Sequence, residues 1–357
     1  MEKIILRKLK HFLFLCFIIF FASKSIAEEF PFNIPKEKNQ QNKNISSSQM
    51  TGGYNLFSGI DTKGWDVSIT GKFLFWQAIE DYMDLAYVNN DVISTSPRHK
   101  KYYKMEFDYH PGFKVGIGKK FDYDNWGIFA EYTWFHMQNS ASYNIAECNE
   151  VLCFRMFGAE DVSYTTATWH LDMDILDGEI ERIYYVGEKL FFRSHGGIKG
   201  GWIDQKYHQK ATAYNDTDDV IFYPTYIAKS KNWMIGPKAG IDTQWLLGKN
   251  FLFLGNLAAS ILYTHYNISQ IDTNIYDENS NDLYTLTRAA KRNRLRPILD
   301  IIGGFSWGKY FGKDFYHIDL AVTYDFSMFW EQEMTYSDTI YGDLYIHGLT
   351  ATMRFDF

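Results

Sequence analysis

Asp343-Leu-Tyr-Ile-His-Gly-Leu-Thr-Ala-Thr-Met-Arg-Phe-Asp-Phe357 decides how this chain is read. Counting back from Phe357, apolar or bulky residues fall at every second position: Phe355, Met353, Ala351, Leu349, His347 and Tyr345. The positions between them are Asp356, Arg354, Thr352, Thr350 and Gly348, with Ile346 as a single apolar intruder. A period of two is a β-strand with one apolar and one polar face. In a soluble sheet the polar face meets bulk water. In a membrane barrel the apolar face meets lipid and the polar face a lumen.

The other end of the chain bears on the choice. Lys3, Arg7, Lys8 and Lys10 precede a short apolar run from Phe12 to Ala22, and Ser25-Ile26-Ala27 offers a small-x-small cleavage site. This predicts a secretory signal peptide over residues 1–27, too short to span a membrane as a helix. Cys16 lies inside the apolar run behind Leu15, which excludes lipoprotein processing. Phe355 and the terminal Phe357 resemble the signal by which bacterial outer-membrane proteins are recognised, so the barrel-assembly machinery is an expected partner. Residues 28–64 are rich in Asn, Gln, Lys and Ser without periodicity, and are expected to form a flexible polar periplasmic tail.

From Trp65 onward the alternation recurs. Ile69, Phe73 and Phe75 alternate with Thr70, Lys72 and Leu74, and the same two-residue rhythm runs through segments near 113–121, 126–135, 192–202, 233–247, 251–266, 295–307 and 316–327. In 169–175 it places Trp169, Leu171, Met173 and Ile175 on the lipid face and His170, Asp172 and Asp174 on the lumen face. Short turns at 123–125, 187–189, 248–250 and 309–314 alternate with long polar connections near 89–101, 138–161, 205–231 and 267–291. Strict alternation of short and long connections marks a barrel with periplasmic turns and external loops. The expected fold is all-β: a transmembrane antiparallel barrel of about ten strands over residues 65–357. Twelve strands result if segments 65–88 and 164–187 each hide a hairpin.

Composition agrees. Aromatic residues make up 18% of the chain, with 29 Phe, 26 Tyr and 10 Trp, and 26 Gly outnumber 7 Pro, which suits aromatic girdles and curved strands. Phe121, Trp126, Trp245, Phe251, Trp307, Tyr310 and Tyr316 are expected in the inner girdle. Trp76, Trp134, Tyr263, Phe329 and Trp330 are expected in the outer one. Without residues 1–27 the chain has 31 basic and 42 acidic residues, net −11, which excludes nucleic acid as a partner. Cys148 and Cys153 are the cysteines left after the signal segment; in an exported compartment they suggest a disulfide that closes a small loop.

Function is sought on the lumen face. The charged residues expected to line a pore are Lys72, Lys114, Glu131, Asp172, Asp174, Arg193, His195, Lys199, Lys238, Asp242, Arg296, Asp300, Asp319, Asp325 and Arg354. Opposed charges across a wet lumen make a field that orients and selects solutes. Paired across strands, the same charges merely fill the barrel. His residues are scattered, and neither Gly-x-Ser-x-Gly nor His-Glu-x-x-His occurs, so no enzyme, cofactor or metal is expected.

Phe73-Leu-Phe-Trp-Gln-Ala78 followed by Leu85-Ala-Tyr87 resembles the first strand of the porin family of Legionella and environmental chlamydiae. Gly236-Pro-Lys-Ala-Gly-Ile-Asp-Thr243, Leu257-Ala-Ala-Ser-Ile-Leu-Tyr263, Leu295-Arg-Pro-Ile-Leu-Asp300 and His347-Gly-Leu-Thr350 resemble later blocks of that family in the same order. The resemblance covers residues 65–357 and implies a pore-forming outer-membrane protein, similar in role to major outer-membrane protein. The expected function is therefore passive diffusion of small hydrophilic solutes or ions, with outer-membrane lipid around the barrel and a homo-oligomer allowed. The alternative is a surface adhesin or structural barrel with a plugged lumen.

Overall fold

In the computed structural model the described residues are 62, 64–89, 100–121, 124–144, 151–152, 162–186, 189–215, 220–248, 250–277, 282–332 and 342–357. The expected signal peptide, nearly all of the polar tail, and Cys148 and Cys153 lie outside them. The strands are β1 (Val67–Glu80), β2 (Asp84–Asn89), β3 (Lys100–Lys104), β4 (Tyr109–Lys120), β5 (Trp126–Asn144), β6 (Val151–Leu152) and β7 (Val162–Val186). They continue with β8 (Leu190–Asn215), β9 (Val220–Phe222), β10 (Thr225–Gly248), β11 (Phe251–Asp277), β12 (Asp282–Phe311), β13 (Tyr316–Phe329) and β14 (Leu344–Asp356).

Ten of them close a ring in the order β1-β4-β5-β7-β8-β10-β11-β12-β13-β14, each antiparallel to its neighbours. The last strand pairs with the first, from Ser68 opposite Asp356 to Glu80 opposite Leu344. Beyond that pair the Val67 and Phe357 backbones exchange both hydrogen bonds at 3.0 Å. Closure removes both sheet edges, which is what a sheet needs inside lipid. The hidden hairpins are absent: β7 is one strand of 25 residues, and β2 leaves the ring after β1. The turn between β4 and β5 holds Asp124 and Asn125 at φ 53° and 55°, the left-handed pair that a tight hairpin of right-twisted strands requires.

The wall is uneven in height. β1, β4, β13 and β14 have 12–14 residues, whereas β7, β8, β10, β11 and β12 have 24–30. At about 3.3 Å per residue the long strands run roughly 80–100 Å, well past an apolar band about 25 Å tall. Much of what the polar composition of 205–231 and 267–291 suggested as loop is therefore strand. These stretches are polar on one face because they stand in water outside the membrane.

The two levels of the barrel have opposite polarity. Near the short turns the outward residues are apolar, such as Ile241, Phe253, Phe305 and Val322, and the inward ones are charged. Farther up, the pattern inverts. On β8 Ile203, Tyr207, Ala211 and Ala213 are buried inside while Lys206 and Lys210 are exposed outside. On β7 the switch falls at Ile175–Leu176, and the pairing register runs through it without a shift. The hydrophobic effect accounts for both halves: the apolar face turns to lipid where lipid is available and to the interior where the wall stands in water.

The upper interior is consequently a solid core. Trp76, Phe135, Trp169, Leu171, Met173, Tyr207, Met234, Leu262, Ile298, Phe329 and Ile346 are each at most 3% exposed. A segment outside the ring completes it. β2, β3 and β6 form a small sheet in the order β3-β2-β6, and Met83, Leu85, Ala86 and Met105 belong to the same apolar cluster as Trp169. Gln209 Nε2 donates to the Leu85 carbonyl at 2.8 Å, and the Phe107 ring meets Trp169 edge-on at 5.7 Å. A short piece of the cysteine-bearing connection takes part through β6, where Val151 and Leu152 pair with Val88 and Tyr87.

Candidate functional site

The inner half of the lumen holds a ladder of ion pairs. Lys72 on β1 and Lys114 on β4 are direct cross-strand partners, an arrangement that repels. Glu131 on β5 resolves it, 2.7 Å from Lys72 Nζ and 3.6 Å from Lys114 Nζ. Arg193 on β8 bridges Glu181 at 2.5 Å and Asp242 on β10, and Asn256 also donates to Asp242. Lys238 spans Asp177 at 3.0 Å and Glu179 at 2.5 Å. Lys199 reaches Asp300 at 2.6 Å, whose other oxygen accepts from Ser327 at 2.7 Å. His195 sits 3.4 Å from Glu179 and 3.7 Å from Asp242.

On the opposite wall Asp325 accepts from Thr323 at 2.7 Å and Thr350 at 2.8 Å, while Thr350 also receives Trp76 Nε1 at 3.0 Å. Nearer the turns, Asp356 accepts from Arg354 at 2.8 Å and lies 3.1 Å from His317. These groups enclose two adjoining cavities. A vestibule of about 140 Å³ by the turns is bounded by Asp66, Lys120, Glu181 and Asp356. Above it a chamber of about 250 Å³ is lined by six Lys/Arg and seven Asp/Glu side chains. Arg193, Asp319 and Arg354 border both. The upper boundary of the chamber is Trp76, Met173, Phe329 and Ile346.

Most of the charges expected in the lumen are in this chamber: Lys72, Lys114, Glu131, Arg193, Lys199, Lys238, Asp242, Asp300, Asp319, Asp325 and Arg354. His195 faces it from behind Glu179 and Asp242. Asp172 and Asp174 do not belong to the lumen. They lie on the outer wall, where Tyr132 donates to Asp174 at 2.5 Å and His136 stands 3.3 Å from Asp172 and 3.4 Å from Asp174. Their strand reverses phase, so the inward acids of β7 are Asp177, Glu179 and Glu181, which the sequence reading passed over. The change from odd to even apolar positions at Ile175–Leu176 was the signal available for them.

Arg296 faces inward but lines neither cavity. It is buried in the upper core, 1% exposed, with Nη2 3.4 Å from the Met234 sulfur and its guanidinium over Tyr266 at 5.7 Å and Phe329 at 5.8 Å. Its Nε and Nη1 have no hydrogen-bond partner among the described residues. Two expected girdle residues, Trp76 and Phe329, are likewise core side chains, and Tyr310 turns inward to border the vestibule. The outer ring instead includes Tyr109, Trp134, Trp202, Trp233, Tyr263 and Tyr324. The inner ring includes Phe121, Trp126, Trp245, Phe251 and Tyr316.

A closed ring of ten antiparallel strands with a lipid-facing apolar band is an integral outer-membrane β-barrel. Residues 60–357 match the family described as Legionella pneumophila major outer membrane protein precursor, and the chain belongs to that family. No curated protein matches the chain. Among solved structures it is similar to the outer membrane protease OmpT from Escherichia coli, at 12% identity over 84% of this chain and 100% of that one, with a TM-score of 0.39. It is also similar to a Pseudomonas aeruginosa FadL homologue, at 7% identity over 82% and 89%, with a TM-score of 0.27. The P. putida toluene transporter TodX matches at 8% identity over 83% and 90%, with a TM-score of 0.28. Likenesses this distant carry no functional argument.

Proposed function

We propose that the protein is a non-enzymatic outer-membrane pore for small hydrophilic solutes or ions, closed until the segment over its outer mouth is displaced. One observation carries the reading: a charge-lined chamber of about 250 Å³ occupies the inner half of the barrel and ends at four side chains. A barrel that served only as a scaffold would gain more from an apolar filling, because each charge taken from water costs desolvation. Part of the seal comes from Met83, Leu85, Ala86 and Met105, which lie outside the ring, so the mouth can open without breaking a strand pairing of the ring. With six cationic and seven anionic side chains in the chamber, ion selectivity is weak. Phe355 and Phe357 remain the proposed assembly signal.

The second reading, a plugged barrel that displays its tall wall at the cell surface, is favoured by the solid upper core. Liposome swelling in sugars of graded size separates the two. The pore reading expects slow swelling with the intact protein and faster swelling when a short Gly-Ser link replaces residues 84–104, with folding verified by heat-modifiable mobility. No swelling with either folded protein selects the plugged barrel.

A further inference from the structure

The outer wall of the long strands carries cations at one level. Beyond Trp202 and Trp233 of the outer aromatic ring, the next outward positions are Asp204 and Lys231, and the following ones are Lys206 and Lys229. Lys206 on β8 is the direct cross-strand partner of Lys229 on β10, and both are exposed. Like charges placed opposite one another destabilise a sheet unless something neutralises them. In the lumen, Glu131 does this for Lys72 and Lys114. On the outer wall no acidic side chain among the described residues forms an ion pair with Lys206, Lys229 or Lys291, while Lys231 has Asp204 opposite it in register. Lys291 extends the row along β12, joined in register through Asn267 to Lys231.

Asp204, opposite Lys231, bounds the patch towards β7.

From this geometry we infer that the outward face of β8, β10 and β12 binds the phosphate groups of the glycolipid in the outer leaflet. Successive outward residues on one strand are about 6–7 Å apart along it, so the lysines stand just above the aromatic ring, in the headgroup layer. Trp202 and Trp233 meet the acyl region below, while ammonium groups above them meet phosphate. Long Lys side chains also reach along the wall to place their charge at the interface. The lipid fills the role that Glu131 fills inside.

The test uses the full-length barrel in detergent with bis-phosphorylated lipid A, lipid A stripped of both phosphates, and inorganic phosphate as probes. Binding is read by native mass spectrometry and by the shift in thermal unfolding. Phosphorylated lipid A should bind, and the combined Lys206→Gln, Lys229→Gln, Lys231→Gln variant should lose at least tenfold in affinity. Lys309→Gln, on the outward face near the inner turns, should leave affinity unchanged and serves as the folded control. Equal binding of the stripped lipid, or unaltered binding by the triple variant, overturns the inference. So does displacement of lipid A by millimolar inorganic phosphate, which would mark a site for free anions.

Discussion

Lys199 Nζ lies 2.6 Å from Asp300 Oδ2, joining β8 to β12 past the two strands between them. This contact ties opposite parts of the wall together through the lumen, which cross-strand neighbours cannot do. Removing either partner leaves a charge in a confined space. Lys199→Gln and Asp300→Asn should each lower the unfolding free energy of the refolded barrel by about 1.5–3 kcal/mol. The double variant should lose less than the two losses added together. Guanidinium titrations of the four proteins decide this, and simple additivity would show that the pair does not couple.

Arg296 is the opposite case, a guanidinium in the core with two donor nitrogens unpaired. Stacking on Tyr266 and Phe329 returns part of the desolvation cost, and no carboxylate among the described residues bonds to those nitrogens. An apolar side chain of similar length fills the same space without the unpaired donors. Arg296→Met should therefore raise stability by about 1–4 kcal/mol. A loss of stability would show that the guanidinium has a partner, such as a bound water or anion.

Two tryptophans on the neighbouring strands β7 and β8 should respond differently. Trp169 is fully buried in the upper core, whereas Trp202 is 60% exposed on the outer wall. Trp169→Ala should cost about 3–5 kcal/mol through the cavity it leaves. Trp202→Ala should cost distinctly less, because lipid or detergent fills the space it leaves and no closed cavity forms. Equal losses would mean that the upper half is not packed as a core.

The reversed phase of β7 can be read by labelling. In a Cys148→Ser, Cys153→Ser background, Asp172→Cys should react on intact cells with a bulky membrane-impermeant maleimide. Asp177→Cys should stay unreacted until the inner side is exposed. The reverse order would restore Asp172 to the lumen.

The lower barrel was legible because lipid enforces one rule there: apolar residues outward, every second position. That rule located β1, β4, β5 and β14 and put Lys72, Lys114, Glu131 and Arg354 on the lumen face. It failed where the wall leaves the membrane. Trp169, Leu171, Met173 and Ile175 obey the same period of two, and periodicity alone does not say which face is lipid and which is interior. Ile346 on the polar face of the last strand, with Ala78 directly across from it and Trp76 across from the next inward position, Gly348, was the visible trace of the upper core. Arg296 was misplaced for the related reason that an inward position says nothing about height. Met83, Leu85, Ala86 and Met105, which complete the seal, show no barrel periodicity, and their place depends on tertiary contacts with Trp169 and Gln209.

The central claim is that a wet, charged chamber is sealed from outside by the core above Trp76, Met173, Phe329 and Ile346. Single-channel recording in planar bilayers tests it most directly, comparing the intact protein with the Trp76→Ala, Phe329→Ala double variant. The account predicts a closed baseline with brief, rare openings for the intact protein, and frequent stepwise openings with weak ion selectivity for the variant. Long-lived openings of the intact protein, with a conductance the double substitution does not change, would contradict it.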